Sequence, residues 1–501
     1  MEYQVTVGME IHAELKTKSK MFCASKNDPD EKHPNINICP VCLGHPGTLP
    51  VINEEAVKLV QRVGLALGGE IQEFSRFDRK NYFYPDLPKG YQISQYKYPL
   101  VLGGNLNGVR ITRVHLEEDA GKLMHDPGGK FSSVDFNRAG VPLMELVTEP
   151  DIKSAKEAKK FAEELQLVLQ YLGASEANME KGEMRCEANI SVAKAVKPPL
   201  GGLTAKLGTK VEVKNLNSFR AVKRAIEYEV KRQIELLDGG KKVVQETRGW
   251  NENKEETFSQ RSKESAHDYR YFPEPDLPPM EFSDGYIEAL RATIPELPEQ
   301  KRNRLKKEYH LNVVAANVAG TIEILVQNQS LSAFYEKAAS ELKEWLKAEN
   351  MQDRFDEAMK LLSNYFTSDF LGLIREKEIL ISELLIDPEN FAELIKMVFL
   401  KEINSRMAKD TLRHMIELGG DPSTIISNLG GDNPEGLKQL NEGDVLEAFC
   451  KKVVIDNPQA VSDFKAGNQS AINRLVGQVM KNTSGRANPE AVKEILAKIL
   501  G

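Results

Sequence analysis

The chain has 501 residues, with 67 Lys and Arg against 74 Asp and Glu, and so a formal charge of −7. Apolar residues make up 41% and charged residues 28% of it, a balance that excludes a largely disordered protein. The length predicts about three domains, and no run approaches the ~18 apolar residues of a membrane span. The first residues alternate at once, without the basic region of a signal peptide, so we expect a cytoplasmic protein.

The first predicted element is a strand with one polar face. Between Val5 and Leu15 apolar and polar residues alternate, so Glu10, His12 and Glu14 lie on one side of the strand. A solvated face of an antiparallel sheet is the ordinary explanation of such a pattern. This strand alone therefore leaves the role of the face open.

Three of the five cysteines lie close together, at Cys23, Cys39 and Cys42. The last two have the Cys-x-x-Cys spacing of a structural zinc knuckle. Tetrahedral zinc needs a fourth ligand, and His33 and His45 are both near enough in sequence to supply it. A redox pair and incidental cysteines are the alternatives. Five cysteines make a secreted disulfide scaffold an unlikely class.

A loop over residues 77–95 mixes basic side chains with aromatic ones. Lysine and arginine can contact phosphates, and aromatic rings can stack on bases or line a pocket. An ordinary basic surface loop is the alternative.

Three later strands repeat the polar face of the first, at 111–119, 184–191 and 211–216. The residues that share a face are Arg113, His115 and Glu117 in the first, Arg185, Glu187, Asn189 and Ser191 in the second, and Glu212 and Lys214 in the third. Several carboxylates with an imidazole are typical ligands of a hard divalent cation and favour Mg²⁺, which commonly accompanies a nucleoside triphosphate. The sequence has no Gly-x-x-x-x-Gly-Lys-Ser/Thr motif, so an ATP site here would not be a P-loop.

Two helices are predicted by their caps. Ser154 begins the first as part of a capping box with Glu157, and Gly173 ends it; the second follows Ser218 and ends at Gly239. Their apolar stripes predict packing against a sheet. Proline-rich stretches over 271–279 and 295–298 predict a linker between this part and a mainly helical remainder, in which a second break falls near 402–406.

Together these motifs resemble the B subunits (GatB) of the bacterial tRNA-dependent amidotransferases. The resemblance is carried by Gly8-Met-Glu-Ile-His-Ala-Glu-Leu15 and His115-Leu-Glu-Glu-Asp-Ala-Gly121, and by segments 77–86, 134–138, 214–219, 245–248 and 268–276. It runs in order from residue 5 to the C-terminus. It implies an α+β protein: an antiparallel-sheet cradle domain over 1–293, an all-α domain over 294–405 and a small helical tail over 406–501.

The resemblance also implies the reaction and the partners. Such a protein phosphorylates the side-chain carboxylate of Glu-tRNA(Gln) or Asp-tRNA(Asn) with ATP and Mg²⁺, and ammonia then forms the amide. This sequence has no amidase signature, so a glutaminase, the A subunit of such complexes, must supply ammonia, in a heterotrimer with a small C subunit. A non-catalytic tRNA-binding scaffold for an amidase is the alternative.

Candidate site residues are carried over from the matching motifs. The magnesium ligands are expected among Glu10, His12, Glu118, Glu149 and Glu187, with Glu117 as a further candidate; the catalytic set is Glu10, His12, Glu118, Lys80 and Arg185. Substrate or nucleotide contacts are expected from Lys80, Asn81, Lys89, Arg185, Asn189, Lys214, Asn215 and Asn217. Cys23, Cys39 and Cys42 are the zinc candidates. The family has Asp at the position of Glu187, and many relatives have a cysteine where Ser25 stands.

The C-terminal tail is basic, unlike the chain as a whole. Its candidate tRNA contacts are Lys465, Arg474, Lys481 and Arg486. Phosphate contacts of this kind are mostly independent of sequence and depend on salt. A solvated helical surface is the alternative explanation.

Overall fold

The computed structural model of the chain describes residues 3–126, 128–194, 207–262, 269–310, 316–429, 444–465, 470–483 and 487–500. It divides into two compact units, Met1–Pro298 and Glu299–Gly501. The first unit contains the strands and the second is helical, which confirms the α+β class. The division of the second unit at residue 406 stays a prediction.

The first unit is built on a large sheet. Its strands are β1 (Tyr3–Glu14), β2 (Glu70–Ile71), β3 (Phe74–Ser75), β4 (Asp78–Asn81), β5 (Tyr91–Ser94), β6 (Val101–Leu102), β7 (Asn105–Leu106), β8 (Val109–Glu118), β9 (Lys122–His125), β10 (Ser132–Asp135), β11 (Pro142–Thr148), β12 (Met184–Lys194), β13 (Val211–Leu216), β14 (Glu246–Asn251), β15 (Glu256–Ser262), β16 (Phe272–Pro273) and β17 (Met280–Glu281). The sheet order is β15-β14-β13-β12-β1-β11-β8-β6-β2, antiparallel except between β13 and β14. β1 therefore lies near the middle, with β12 on one side and β11 on the other.

Two helices cover the apolar face of this sheet, as their stripes predict. The helices of this unit are α1 (Glu54–Ala66), α2 (Ala155–Tyr171), α3 (Phe219–Asp238) and α4 (Asp284–Arg291). Ser154 caps α2 by accepting from the Glu157 N–H, and Ser218 caps α3 by accepting from the Ala221 N–H. The inward residues of β1 and β12 join the buried residues of α2 and α3 in one core, so the opposite face is left to carry polar side chains.

The proline-rich segment after residue 270 is part of the folded first unit and not a free linker. β16 pairs with β4, and β17 pairs with β3. The buried Glu274 carboxylate accepts two hydrogen bonds from Arg79, at 2.7 and 2.8 Å. The prolines restrict this segment to short edge strands. The ion pair between Arg79 and Glu274 fixes it beside β4.

The second unit consists of helices. They are α5 (Pro298–Glu308), α6 (Ala316–Gln327), α7 (Gln329–Ala348), α8 (Phe355–Asn364), α9 (Leu371–Glu376), α10 (Pro388–Phe399), α11 (Ser405–Leu418), α12 (Pro422–Leu429), α13 (Asp444–Asp456), α14 (Pro458–Lys465), α15 (Ala471–Asn482) and α16 (Pro489–Leu500). α11 packs against α9 and α10, whereas α13 to α16 share a separate apolar core. Among the described residues, no helix combines the length and the apolar character needed to cross a membrane.

Candidate active site and cysteine pocket

A row of polar residues crosses four neighbouring strands on the face away from α2 and α3. His12 of β1 lies opposite Arg185 of β12 on one side and opposite Glu145 of β11 on the other. Glu145 in turn lies opposite His115 of β8. Directly opposed residues in antiparallel strands point to the same side of a sheet, so these four side chains form one continuous row.

Carboxylates converge on the His12 ring, and we call this set the carboxylate face. The His12 Nε2 atom lies 3.3 Å from Glu145, 3.8 Å from Glu117 and 3.8 Å from Glu10. Two overlapping groups have ligand atoms that all lie within 4.8 Å of one another, namely Glu10 with His12 and Glu187, and His12 with Glu117 and Glu145. Oxygen-rich sets of this kind, with one imidazole, suit a hard divalent cation.

The charges on this face are strongly coupled. Burial lowers the pKa of His12, but Glu145, Glu117 and Glu10 outweigh it and raise that pKa to about 9. Burial opposes ionisation of Glu145, yet the imidazoles of His115 and His12 keep the pKa of Glu145 below its usual range. The protonated His12 ring, Lys80 and Arg113, which lies 3.4 Å from Glu145, together offset the charge of these carboxylates.

His115 differs from His12. Burial lowers the pKa of His115 to about 4, so this imidazole is neutral near pH 7. Its Nδ1 atom is buried and has no hydrogen-bond partner among the residues that the structure describes. The other ring nitrogen, Nε2, lies 3.5 Å from Glu145.

The edge of the face towards β13 is held by a lysine. Lys214 Nζ lies 2.8 Å from Glu187 and 3.8 Å from Glu212. Burial, Glu145 and Glu187 raise the pKa of Glu10 to about 7, against the opposing charges of His12 and Lys214. Glu10 and Glu187 lie directly opposite each other on β1 and β12, which explains the repulsion between their carboxylates.

Lys80 of β4 lies near this face, together with tyrosines from the segments beside β4 and β16. Burial opposes the charge on Lys80, but Glu117, Tyr271 and Glu145 raise its pKa above the ordinary value. Its Nζ atom is 5.2 Å from the ring centre of Tyr269 and 5.9 Å from that of Tyr82. Lys80 is thus held as a cation beside the carboxylates, as an electrostatic partner for anionic groups.

Arg185 forms a second cluster next to His12. It contacts Asp119 directly and lies 3.7 Å from Glu14, and Arg138 lies 3.6 Å from the same Asp119 carboxylate. Burial and the Asp119 carboxylate raise the pKa of Glu14 to about 8. Arg185 is therefore already partnered by carboxylates of this chain.

Several predicted residues lie outside the carboxylate face. Glu118 points away from Glu117 and accepts from Lys89 Nζ at 2.5 Å and from the Ile93 N–H at 2.9 Å. Glu149 accepts from the Thr112 hydroxyl at 2.7 Å. The structure thus groups Glu117 with His12, whereas Glu118, Lys89 and Glu149 are partnered elsewhere.

The predicted asparagines have mixed environments. The Asn81 amide donates to the Arg270 carbonyl at 2.8 Å, which ties β4 to the segment that carries the tyrosines. Asn215 has a left-handed backbone (φ +64°), and both Asn215 and Asn217 are exposed. The buried Asn189 Oδ1 atom has no hydrogen-bond partner among the described residues. Of these four asparagines, Asn189 is the one that lies on the polar face of β12, two residues after Glu187.

Sequence reasoning missed Glu145 as a candidate ligand, although a signal was present. β11 reads Pro-Leu-Met-Glu-Leu-Val-Thr, a single carboxylate inside an apolar strand. A buried charge needs a partner, so an isolated acid in such a strand points to a cation or a metal nearby. The strand pairing of β11 with β1 was not available from that signal.

The three cysteines also come together. Cys23, Cys39 and Cys42 have sulfur atoms within 4.8 Å of one another. Hydrogen bonds to Cys42 Sγ from the Cys23 thiol and from the Cys39 N–H, helped by the buried Lys20 at 3.8 Å, lower the pKa of Cys42 to about 4. The three sulfurs fit a tetrahedral metal with one further ligand.

The predicted fourth zinc ligands are placed differently. His45 lines a small cavity together with Cys23, Cys42, Lys89 and Glu118, and we call this the cysteine pocket. His33 is exposed and lies 3.0 Å from Glu31. Ser25 has its hydroxyl 3.9 Å from Cys42 Sγ.

The tail places its predicted tRNA contacts at the surface. Lys465, Arg474 and Lys481 are all exposed. Arg486 lies outside the described residues. A family described as the GatB domain matches residues 346–500, which contain all four.

A family described as the GatB/GatE catalytic domain matches residues 5–288 and so includes every strand of the carboxylate face. The chain belongs to the GatB family of amidotransferase proteins. A relative from Caldicellulosiruptor saccharolyticus, named as the B subunit of an aspartyl/glutamyl-tRNA(Asn/Gln) amidotransferase, is 44% identical and covers 100% of this chain and 99% of its own length. Proteins of the same name from Thermodesulfovibrio yellowstonii and Thermotoga maritima are each 44% identical, again over 100% of this chain, with 100% and 99% of their own lengths covered. GatB proteins are part of a tRNA-dependent ligase.

Proposed function

We propose that this chain carries the kinase and transamidation steps of the amidotransferase. A carboxylate of glutamate or aspartate, mischarged on tRNA(Gln) or tRNA(Asn), attacks the γ-phosphorus of ATP, and ADP leaves. Ammonia then attacks the acyl carbon, loses a proton and displaces phosphate. The supporting observation is the convergence of Glu10, His12, Glu117, Glu145 and Glu187 on one face of the catalytic domain.

The donor set explains how this chemistry would be assisted. Glu10, His12 and Glu187, or His12, Glu117 and Glu145, would hold Mg²⁺, which neutralises charge on the transferring phosphoryl group when it is bound. A free carboxylate is a poor acyl donor, and phosphorylation gives it a good leaving group. We propose that Lys80 and Lys214, which flank the face, bind anionic oxygens of the substrates.

We propose the partners from the family and from the sequence. Ammonia would come from a glutaminase, the A subunit, in a complex that also contains a small C subunit, in the cytoplasm where tRNAs are charged. Lys465, Arg474, Lys481 and Arg486 of the tail would contact the tRNA backbone. Arg185 and Asn189 remain proposed substrate contacts at the edge of the face.

We also propose a structural Zn²⁺ at Cys23, Cys39 and Cys42. The fit is supported by three sulfurs at ligand spacing, and by the contact between the buried Lys20 ammonium and Cys42. His45, which lines the same pocket, is the better placed of the two candidate fourth ligands. The role is structural, because these cysteines are not part of the carboxylate face.

The decisive experiment measures ATP hydrolysis that depends on Mg²⁺ and glutamyl-tRNA in the reconstituted complex. Glu10→Gln and His12→Ala are each expected to lower it by at least about 10²-fold while tRNA binding is kept. Asp151→Asn is the matched control, because Asp151 is a carboxylate of the same unit that is paired with Arg110. If both variants keep their turnover, the non-catalytic scaffold becomes the better explanation.

A further inference from the structure

Four tyrosines form a connected cluster beside the carboxylate face. The rings of Tyr96 and Tyr271 are stacked, with centres 4.4 Å apart and planes at 11°. Tyr271 makes an edge contact with Tyr269 at 6.2 Å, and Tyr269 makes one with Tyr82 at 5.9 Å. The cluster is thus a set of packed rings that ends in a stacked pair.

The outer member of this pair presents an open ring face. Tyr96 is 61% exposed although one face of its ring is covered by Tyr271, so the other face is open to solvent. A stacked pair with one ring face open is the kind of platform on which a base can stack.

The backbone holds the stacked pair in position. The carboxylate of Asp78 accepts from the N–H of Tyr96 at 3.1 Å and from the N–H of Lys97 at 3.3 Å. On the other side, the Asn81 side chain donates to the carbonyls of Tyr269 and Arg270. The open ring of Tyr96 is therefore presented by anchored segments and needs little ordering when a ligand binds.

The stacked pair connects the solvent to the carboxylate face. Ser94, two residues before Tyr96, donates from its hydroxyl to the Glu117 carboxylate at 3.0 Å, which fixes this segment beside the face. Lys80 Nζ lies 5.2 Å from the ring centre of Tyr269, and the charges of Glu117 and Glu145 act on it. The stacked pair, a cation and the carboxylates are thus neighbours, as the base, the phosphates and the reacting group of a bound nucleotide are.

We propose that the open face of Tyr96, backed by Tyr271, stacks on an adenine ring whose phosphates point towards Lys80. The proposal rests on the proposed function, since both substrates of that reaction, ATP and the 3′ end of aminoacyl-tRNA, carry an adenine. Stacking on an aromatic ring tolerates any base. The reaction, and not the ring, therefore selects adenine, and the experiment has to tell its two sources apart.

The test compares three substitutions of one residue in the reconstituted complex. Tyr96→Ala removes the ring, Tyr96→Leu keeps apolar volume against Tyr271 without an aromatic face, and Tyr96→Phe keeps the ring. Phe131→Ala is the matched control, because Phe131 is an exposed aromatic residue (65%) of the β9–β10 connection. Melting curves establish that each variant is folded.

Two binding measurements separate the sources of adenine. One is the KM for ATP, and the other is the Kd for tRNA(Gln) with and without its terminal adenosine. We expect Tyr96→Ala and Tyr96→Leu to raise either the KM for ATP or the Kd for tRNA(Gln) by about tenfold. In Tyr96→Phe and Phe131→Ala both constants should stay within about twofold of those of the unmodified chain. A raised KM assigns the ring to ATP, whereas a raised Kd only for intact tRNA assigns it to the tRNA end.

Other results would overturn the proposal. It fails if Tyr96→Ala and Tyr96→Leu leave both quantities within about twofold, or if Tyr96→Phe loses as much as Tyr96→Ala, because stacking needs the ring and not the hydroxyl. These results are distinct from failure of the proposed function, which shows as ATP hydrolysis retained in Glu10→Gln. A raised KM for ATP in Tyr96→Leu would support the adenine site even if Glu10→Gln kept its ATP hydrolysis.

Discussion

The carboxylate face and the cysteine pocket receive adjacent residues of the same strand, yet their charges are balanced in different ways. Glu118 of β8 enters the cysteine pocket, where Lys89 neutralises it, and the Cys42 sulfur has the buried Lys20 beside it. Its neighbour Glu117 enters the carboxylate face, where it shares the His12 ring with Glu10 and Glu145. Arg113, Lys214 and Lys80 supply further positive charge around these acids.

The difference shows how a functional site can be separated from a structural one. Buried charges that are already paired within the chain need nothing else. Carboxylate oxygens and an imidazole that lie within ligand distance of one another can in addition share a divalent cation. The carboxylate face has two such groups, whereas Glu118 is paired with Lys89, and this is why we propose Mg²⁺ at the face and not beside Glu118.

The largest expected effect comes from removing one carboxylate from the carboxylate face and one from the cysteine pocket. Glu117→Gln is expected to weaken Mg²⁺ binding by at least about tenfold, because it removes a ligand, and Glu118→Gln to leave it within about twofold. Isothermal titration with Mg²⁺ and a nucleotide measures both. Equal losses in the two variants would show that the two regions are not separate.

The pH dependence of Mg²⁺ binding gives the next largest effect. The pKa of His12 is raised to about 9 and that of Glu10 to about 7, so both carry protons that a metal must displace. Raising the pH removes these protons, and the affinity for Mg²⁺ should rise between pH 6 and 9 by up to about tenfold per pH unit for each proton released. His12→Gln should have a shallower slope. A flat profile in the unmodified chain would contradict the assigned charges.

Removing a thiol tests the other region. Cys42→Ser is expected to lower the zinc content of the purified protein to near zero and to lower the melting temperature by about 5 °C, because a structural metal stabilises the fold. Cys186→Ala is the control for zinc content, since Cys186 is buried in the core away from the other thiols. A zinc content near zero in the unmodified protein would leave the three cysteines as packing residues.

The smallest expected effect is in the tail. Lys481→Ala should weaken tRNA binding by about twofold to fivefold, and should reduce the slope of log affinity against log salt by about one. Lys377→Ala is a suitable control, because Lys377 is paired with Glu417. Binding measured at several salt concentrations decides the matter, and an unchanged slope would count against a phosphate contact.

The parts of the fold that depend on local patterns are predictable from the sequence. The alternating strands, their polar faces and the caps at Ser154 and Ser218 are all readable because each depends on residues a few positions apart. The alternation also places Cys186 on the apolar side of β12, where it is 1% exposed. The polar faces therefore bring Glu10, His12 and Glu187 to attention before any pairing is known.

The remaining parts depend on which strands are neighbours. Glu145 reaches His12 only because β11 pairs with β1. The alternation of β8 already puts Glu117 on the face of His115, whereas the motif carried over from the family favours Glu118, and the structure follows the alternation. A shift of one residue exchanges the two faces of a strand, so the motif alone could not assign the correct glutamate. The prediction of a linker over 271–279 is wrong, because Glu274 in this segment is bonded to Arg79. That partner lies 195 positions earlier in the chain, so no local pattern could reveal the contact.

That long separation has a consequence for biosynthesis. The row of acids on β1, β8, β11 and β12 is complete once residue 194 has been made, whereas Tyr269 and Tyr271 follow only some 75 residues later. Contacts so distant along the polypeptide form slowly. A nascent chain that stops before β16 would therefore have the carboxylate face without the tyrosine cluster beside it, and we expect it to bind the proposed substrates only after this segment has been made.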